Sequence, residues 1–282
     1  MSIERIGVVG AGTMGHGIAH VAATAGYSVV LYDVTAEAAE KGKAKISANL
    51  AKGVEKGKGT AEERDAARSR LETTGDLEAL APCGMVIEAI PESLPLKQAL
   101  FHDLSRICGP KAVLATNTSS LSLTEIAASA TNPERVVGMH FFNPVHLMKL
   151  LELVTAFQTS EETLAAAREV GERMGKQTIT VKDHPGFASS RLGIALGMEA
   201  IRMVEEGVAS AEDIDRAMEL GYGHPMGPLK LTDLVGLDVR LAIAEYLYAE
   251  LGSPTFRPPQ LLKKMVRAGK LGKKSGQGFY RY

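Results

Sequence analysis

Gly10-Ala11-Gly12-Thr13-Met14-Gly15 sets three glycines in GxGxxG spacing, directly after the apolar run Ile6-Gly7-Val8-Val9 and ahead of an Ala-rich stretch. Each glycine has its own use in such a loop. The first turns the chain, the second lets backbone approach a pyrophosphate, and the third lets a helix close on the strand. That helix presents unpaired N–H groups to an anion. A second apolar run ends at Tyr32-Asp33, where a carboxylate would bond an adenosine ribose and repel a 2′-phosphate. Together these features imply a dinucleotide site formed by Gly10, Ala11, Gly12, Thr13, Met14, Gly15 and Asp33, with NAD favoured over NADP. Accommodation of the extra phosphate by neighbouring residues stays open.

The second constellation is a histidine and a carboxylate. His140 ends an apolar run and is followed by Phe141-Phe142-Asn143-Pro144, and Glu152 interrupts the next run, Leu150-Leu151-Glu152-Leu153-Val154. Oxidising an alcohol by hydride transfer needs a base for the hydroxyl proton, and imidazole accepts and returns a proton near neutrality. A charge between leucines of a buried strand needs a partner, and His140 is a candidate for it. A core histidine satisfied elsewhere and a glutamate paired elsewhere are the alternatives. Asn117-Thr118-Ser119-Ser120 follows another apolar run and either adds short polar groups at the same edge or caps the segment beginning near Leu123. His16 and His20, at i and i+4, could share a metal, but no third ligand is evident, and no metal site is expected.

These residues need a scaffold. Apolar runs at 5–9, 28–32, 85–89, 113–116, 136–140, 150–154 and 178–181 alternate with helical stretches near 13–25, 94–107 and 161–174. That is the pattern of a parallel sheet covered by helices, whose strand ends face the ligand crevice. Residues 35–70 are rich in Ala, Lys and Glu and break at Gly57-Lys58-Gly59, which implies two charged antiparallel helices inserted into the sheet's connections, either solvated or in contact with substrate. After Asp183-His184-Pro185-Gly186 the chain becomes almost wholly helical. The expected fold is α/β: a Rossmann-type doubly wound domain over 1–184 with a helical hairpin insertion, then an all-α carboxy-terminal domain over 185–282. Fewer than a hundred residues remain there, rich in Leu, Ile and Met, so part of that apolar surface is expected to pack on a second subunit.

Composition narrows the partners. Thirty-two Lys plus Arg against 33 Asp plus Glu give a net charge of -1, so no cationic excess exists to collect nucleic-acid phosphates. No run approaches the ~20 apolar residues of a membrane span. Two cysteines, Cys83 and Cys108, cannot build a disulfide framework, and with no basic or apolar leader at the amino terminus a cytoplasmic location is the expectation.

Taken together the chain resembles the L-3-hydroxyacyl-CoA dehydrogenase family, its short bacterial members above all. The resemblance runs through GAGTMGHGIA from Gly10, EAIPESLPLK from Glu88, NTSSL from Asn117 and GMHFFNPVHLMKLLELV from Gly138. It continues in DHPGF from Asp183, PMGPLKLTDLVGLD from Pro225 and GKKSGQGFY from Gly272. It implies reversible NAD-dependent oxidation of an (S)-3-hydroxyacyl-CoA, such as 3-hydroxybutyryl-CoA, to its 3-oxo form, such as acetoacetyl-CoA, by a homodimer. His140 would be the base and Glu152 its orienting partner, with Ser119 and Asn143 at the substrate and nicotinamide. Glu92, Lys97 and Lys274 match further cofactor contacts, and Asn49 and Lys56 on the hairpin fall where the family meets CoA. Where the family commonly has asparagine before the arginine that follows PGF, this chain has Ser190. A serine is shorter, leaving either a water-mediated substrate contact or room for a different acyl group.

Two other readings remain at this stage. A gulonate dehydrogenase or lens-crystallin relative would share the His-Glu pair without CoA, against which stand the HFFNP run and the basic 52–58 segment. A non-enzymatic dinucleotide-binding protein is the other, against which stand His140, Glu152, Ser119 and Asn143. His102, His146, His184 and His224 are expected to be structural or solvated, and both cysteines to be small buried hydrophobes.

Overall fold

The computed structural model describes residues 3–282, which divide into two compact units, the first ending at His184 and the second spanning Pro185–Tyr282. In the first, β1 (Arg5–Val9) leads through α1 (Thr13–Thr24) to β2 (Ser28–Tyr32). The hairpin α2 (Ala36–Glu55) and α3 (Ala61–Ser69) follows, then β3 (Leu71–Thr74) and β4 (Met85–Glu88). Next come α4 (Leu94–Ile107), β5 (Val113–Thr116), α5 (Leu123–Ala127) and β6 (Val136–Phe141), and finally β7 (Leu150–Thr155), α6 (Glu161–Arg173) and β8 (Gln177–Lys182).

All eight strands form one sheet in the order β3-β2-β1-β4-β5-β6-β7-β8. Every neighbouring pair is parallel except β6 with β7. The order reverses between β1 and β4, and such a switch point opens a crevice at the carboxyl ends of its strands. The central strands are buried on both faces, as the patterns of β4, β5 and β6 show. Ile6, Val8, Ile18, Leu31, Ile87, Ala115, Met139 and Leu153 belong to one core.

β3 is a strand that sequence reading passes over. Only Leu71 of Leu-Glu-Thr-Thr is buried, because the strand lies at the sheet edge and pairs on one side with β2. The hairpin is less detached than its charge suggests. α2 buries Ala39, Gly42 and Ile46, and a Cβ on Gly42 would lie 2.7 Å from that of Ala11, so its first half is seated on the glycine loop. α3 starts with a full capping box between Thr60 and Glu63.

The second unit is built from α7 (Ser189–Glu205), α8 (Ala211–Arg216), α9 (Pro228–Val235), α10 (Leu237–Leu251) and α11 (Gln260–Arg267). Its own core gathers Ile194, Met198, Ile201, Leu229, Leu237, Leu247, Phe256 and Leu262. Two buried carboxylates organise it. Asp215 accepts from the Leu229 and Lys230 amides and from the Tyr280 hydroxyl, while Asp233 accepts from the Phe279 and Tyr280 amides and fixes the end of the chain. Among the described residues no helix is long and apolar enough to cross a membrane.

Candidate active site

The glycine loop leaves β1 at the switch point. Gly10 has φ +96°, and a Cβ there would sit 2.8 Å from the Ala89 carbonyl oxygen beyond β4. A Cβ on Gly15 would meet the Gly10 oxygen at 1.6 Å, so only glycine lets α1 close on the loop. Gly12 is different: its φ is -64° and a Cβ would meet nothing within 4 Å. Neither strain nor packing within the protein demands glycine there, whereas a pyrophosphate laid against the backbone does. No side chain caps α1, which leaves its first N–H groups for an anion. Asp33, at the end of β2, accepts from the Ala11 amide at 2.7 Å and the Val34 amide at 2.8 Å. Its carboxylate is thereby held beside the loop, where a ribose would meet it. The donor set and the open face over Gly12 fit a dinucleotide.

Across the switch point β4 ends in Glu88, which is 0 % exposed and receives Lys97 Nζ at 2.5 Å, the Ile90 amide at 2.7 Å and Thr116 Oγ1 at 2.6 Å. Lys97 is itself 1 % exposed, and it reaches Glu92 Oε2 at 3.5 Å. The Lys97 ammonium is therefore turned inward, onto Glu88 and Glu92. Oε1 of Glu92 in turn gathers the loop after β5, accepting from Thr118 Oγ1 at 2.6 Å, the Ser119 amide at 2.9 Å and Ser119 Oγ at 3.3 Å. The cap of α5 is Ser122, not this loop, which sits at the sheet edge. Asn117 Oδ1 accepts from the Phe141 amide at 2.8 Å and so ties the loop to the end of β6. In the sequence Asn117 is one member of a polar run; in the fold its side chain links two strand ends.

His140 and Glu152 face each other because β6 and β7 are antiparallel with His140 opposite Glu152 in register. Their Nδ1 and Oε2 are 2.7 Å apart, with Glu152 fully buried. A hydrogen bond to a carboxylate fixes the imidazole tautomer, placing the proton on Nδ1 and the basic lone pair on Nε2. The Phe142 ring stands 4.5 Å from that of His140. Asn143 is exposed on the loop beyond, two residues past the end of β6.

The remaining expected residues lie on other elements. Asn49 is half-buried on α2 and Lys56 exposed at its end. Ser190 and Lys274 belong to the second unit, Ser190 in the first turn of α7 and Lys274 paired with Asp238 at 2.6 Å. Cys83 and Cys108 are buried thiols, and burial pushes them up to about 11 and about 12. Among the described residues no group of three or more His, Cys, Asp or Glu is placed to hold a metal ion.

The chain matches the 3-hydroxyacyl-CoA dehydrogenase NAD binding domain over residues 5–184 and the 3-hydroxyacyl-CoA dehydrogenase C-terminal domain over residues 186–282. It is 50% identical to a probable 3-hydroxybutyryl-CoA dehydrogenase of Bacillus subtilis, covering 100% of this chain and 98% of that one. It is 45% identical to the 3-hydroxybutyryl-CoA dehydrogenase of Bradyrhizobium diazoefficiens, over 99% and 96% of the two chains. The crystal structure of (S)-3-hydroxybutyryl-CoA dehydrogenase from Ralstonia eutropha superimposes with a TM-score of 0.97 at 42% identity, covering 100% of this chain and 99% of that one.

Proposed function

The chain belongs to the 3-hydroxyacyl-CoA dehydrogenase family and is an NAD-dependent oxidoreductase, and from that premise we propose that His140 is its general base, oriented by Glu152. The substrate is an (S)-3-hydroxyacyl-CoA, with 3-hydroxybutyryl-CoA the member its relatives' names point to. The observation that carries this reading is the register-matched His140–Glu152 pair at the strand ends, one strand from the loop gathered by Glu92.

A bound NAD would supply the hydride acceptor for the substrate C3. The residues supply the rest. Gly10 to Gly15 and the start of α1 receive the pyrophosphate, and Asp33 the adenosine ribose. Glu92 contacts the cofactor side of the site and holds Ser119 in place, with Lys97 anchoring Glu92 from beneath. As the C3–H bond is lost with its electron pair, His140 Nε2 takes the hydroxyl proton and the C3–O bond becomes a carbonyl. Glu152 stabilises the resulting imidazolium. In the reverse direction the imidazolium gives its proton to the developing alkoxide. Asn143 donates to the C3 oxygen, where charge develops in the transition state, and the Ser119 hydroxyl joins it by turning its single proton away from Glu92, its backbone amide staying on that carboxylate. Asn49 and Lys56 meet the CoA moiety, a lysine there acting as a point charge on phosphate. By the family pattern, Ser190 is the candidate for a substrate contact and Lys274 for a cofactor contact. The assembly is a homodimer through the second unit.

The test is NADH oxidation with acetoacetyl-CoA, repeated with NADPH and with free acetoacetate. Turnover that requires both NADH and the CoA thioester is expected. Equal rates with acetoacetyl-CoA and free acetoacetate would overturn the CoA assignment, and equal rates with NADPH would overturn the role given to Asp33.

A further inference from the structure

The loop between β6 and β7, residues 142–149, carries Asn143 and is fastened from beneath by groups that the mechanism above leaves unused. Lys176, 8% exposed just before β8, donates to the Val145 carbonyl and, at 2.9 Å, to the Met148 carbonyl. Val145 is buried directly on the dinucleotide helix: a Cβ on Gly17 of α1 would lie 2.8 Å from its Cγ2. Further along the same helix the His20 ring, 7% exposed, stacks on His146 with centroids 5.2 Å apart and 26° between the planes. His20 Nδ1 is buried and has no hydrogen-bond partner among the described residues. A lone pair is tolerable in that position, but an N–H would be a buried donor lacking an acceptor.

From this arrangement we propose that His20, His146 and Lys176 are positioning residues for Asn143, and that the loop stays docked on α1 only while both imidazoles are neutral. The proposal rests on the reading that places Asn143 in the active site. The charged groups that act on the pair are His16 on α1, Lys176 before β8 and Lys58 in the hairpin turn, all basic. Burial first, then the charges of His146, His16 and Lys176, lower His20 to about 4, and burial, then His16, Lys176 and Lys58, lower His146.

The direction of the pH effect follows. Above about pH 6.5 the docked and undocked loops are both neutral at these rings, so pH changes nothing there. Below it, the undocked loop takes up a proton that the docked one refuses. Docking then weakens by up to about tenfold per pH unit, and the loss stops once docked His20 titrates, near pH 4.

The experiment is hydrogen exchange of the amides of residues 142–149 at pH 7.5 and 5.5, corrected for intrinsic rates, in the full chain and its His146→Phe and Lys176→Met variants. In the wild type, protection of the loop relative to the central strands is expected to fall by about tenfold between the two pH values. His146→Phe keeps a ring on His20 that cannot take a proton, so the fall is expected to shrink. Lys176→Met loses loop protection at both pH values. The ratio of acetoacetyl-CoA reduction rates at pH 5.5 and 7.5 should follow the same order, lower in the wild type than in His146→Phe. An NMR titration of the unaltered protein needs no variant: His146 titrating at or above 6.5 overturns the proposal, as does identical pH dependence of loop exchange in wild type and His146→Phe. Exchange is read without substrate, so the clamp stands or falls by it even if no turnover is found, an outcome that would sink the dehydrogenase mechanism separately.

Discussion

A glutamate that is wholly buried between Leu151 and Leu153 is costly unless something repays it, and the one-to-one register with His140 is that repayment. The pair was legible in outline because a charge inside a leucine run demands a partner and a histidine ends the preceding strand. What spacing could not supply was the antiparallel turn of β7, which brings the two face to face in a sheet otherwise read as parallel. At this scale the expected result is a division of labour. His140→Gln should lower kcat by at least about 10²-fold while NADH affinity, followed by fluorescence titration, is kept. Glu152→Gln preserves shape and removes the charge that holds the imidazolium, so a loss of about 10- to 100-fold is expected. A His140→Gln enzyme turning over at the wild-type rate would remove the histidine from the chemistry.

Elements explain both where sequence reading succeeded and where it failed. The glycine loop and Asp33 were legible because one strand-turn-helix-strand unit contains them, so local spacing determines their geometry. β3 was missed because an edge strand with a single buried residue has no alternation to detect. α4 fails more instructively: Leu96 is 54% exposed while its neighbour Lys97 is 1% exposed, the reverse of what residue types suggest. The ammonium goes inward because Glu88 is buried at the end of β4, nine positions earlier. No one-dimensional pattern reports that pairing. Its energetic signature is asymmetric, since breaking a buried ion pair costs about 3–5 kcal/mol while replacing both partners together can be nearly neutral. Lys97→Met should therefore lower stability by about that amount in denaturant unfolding, and Glu88→Gln with Lys97→Met should recover most of it. Additive losses in the double variant would show that the two groups do not act as a pair. Because Glu92 hangs on the same ammonium and holds Ser119, kcat should fall in Lys97→Met even at temperatures where the variant is fully folded.

The second unit has a core of its own, yet α7 is apolar on two sides. Ile194, Met198 and Ile201 face inward, while Leu192, 72% exposed, and Leu196, 36% exposed, lie one turn apart on the opposite face. Leu234 on α9 and Val239 on α10 are exposed at 52% and 40% in the same unit. Exposed apolar side chains of this size concentrated on one small unit are what an association surface looks like. A second copy of the chain, in the homodimer proposed above, would supply the missing cover, and a two-fold interface would place each α7 face against its equivalent or a neighbour of it. Sedimentation should then give twice the mass of one chain. Leu192→Asp would put one carboxylate from each subunit into the contact and forfeit about 1.5–3 kcal/mol of apolar burial per copy, so the dissociation constant should rise by more than about 100-fold. The cores of both units are untouched by that change, so the variant should sediment as a folded monomer with its NADH binding intact. A wild-type protein that sediments as a monomer at micromolar concentration would leave α7's outer leucines without a partner and end the dimer assignment.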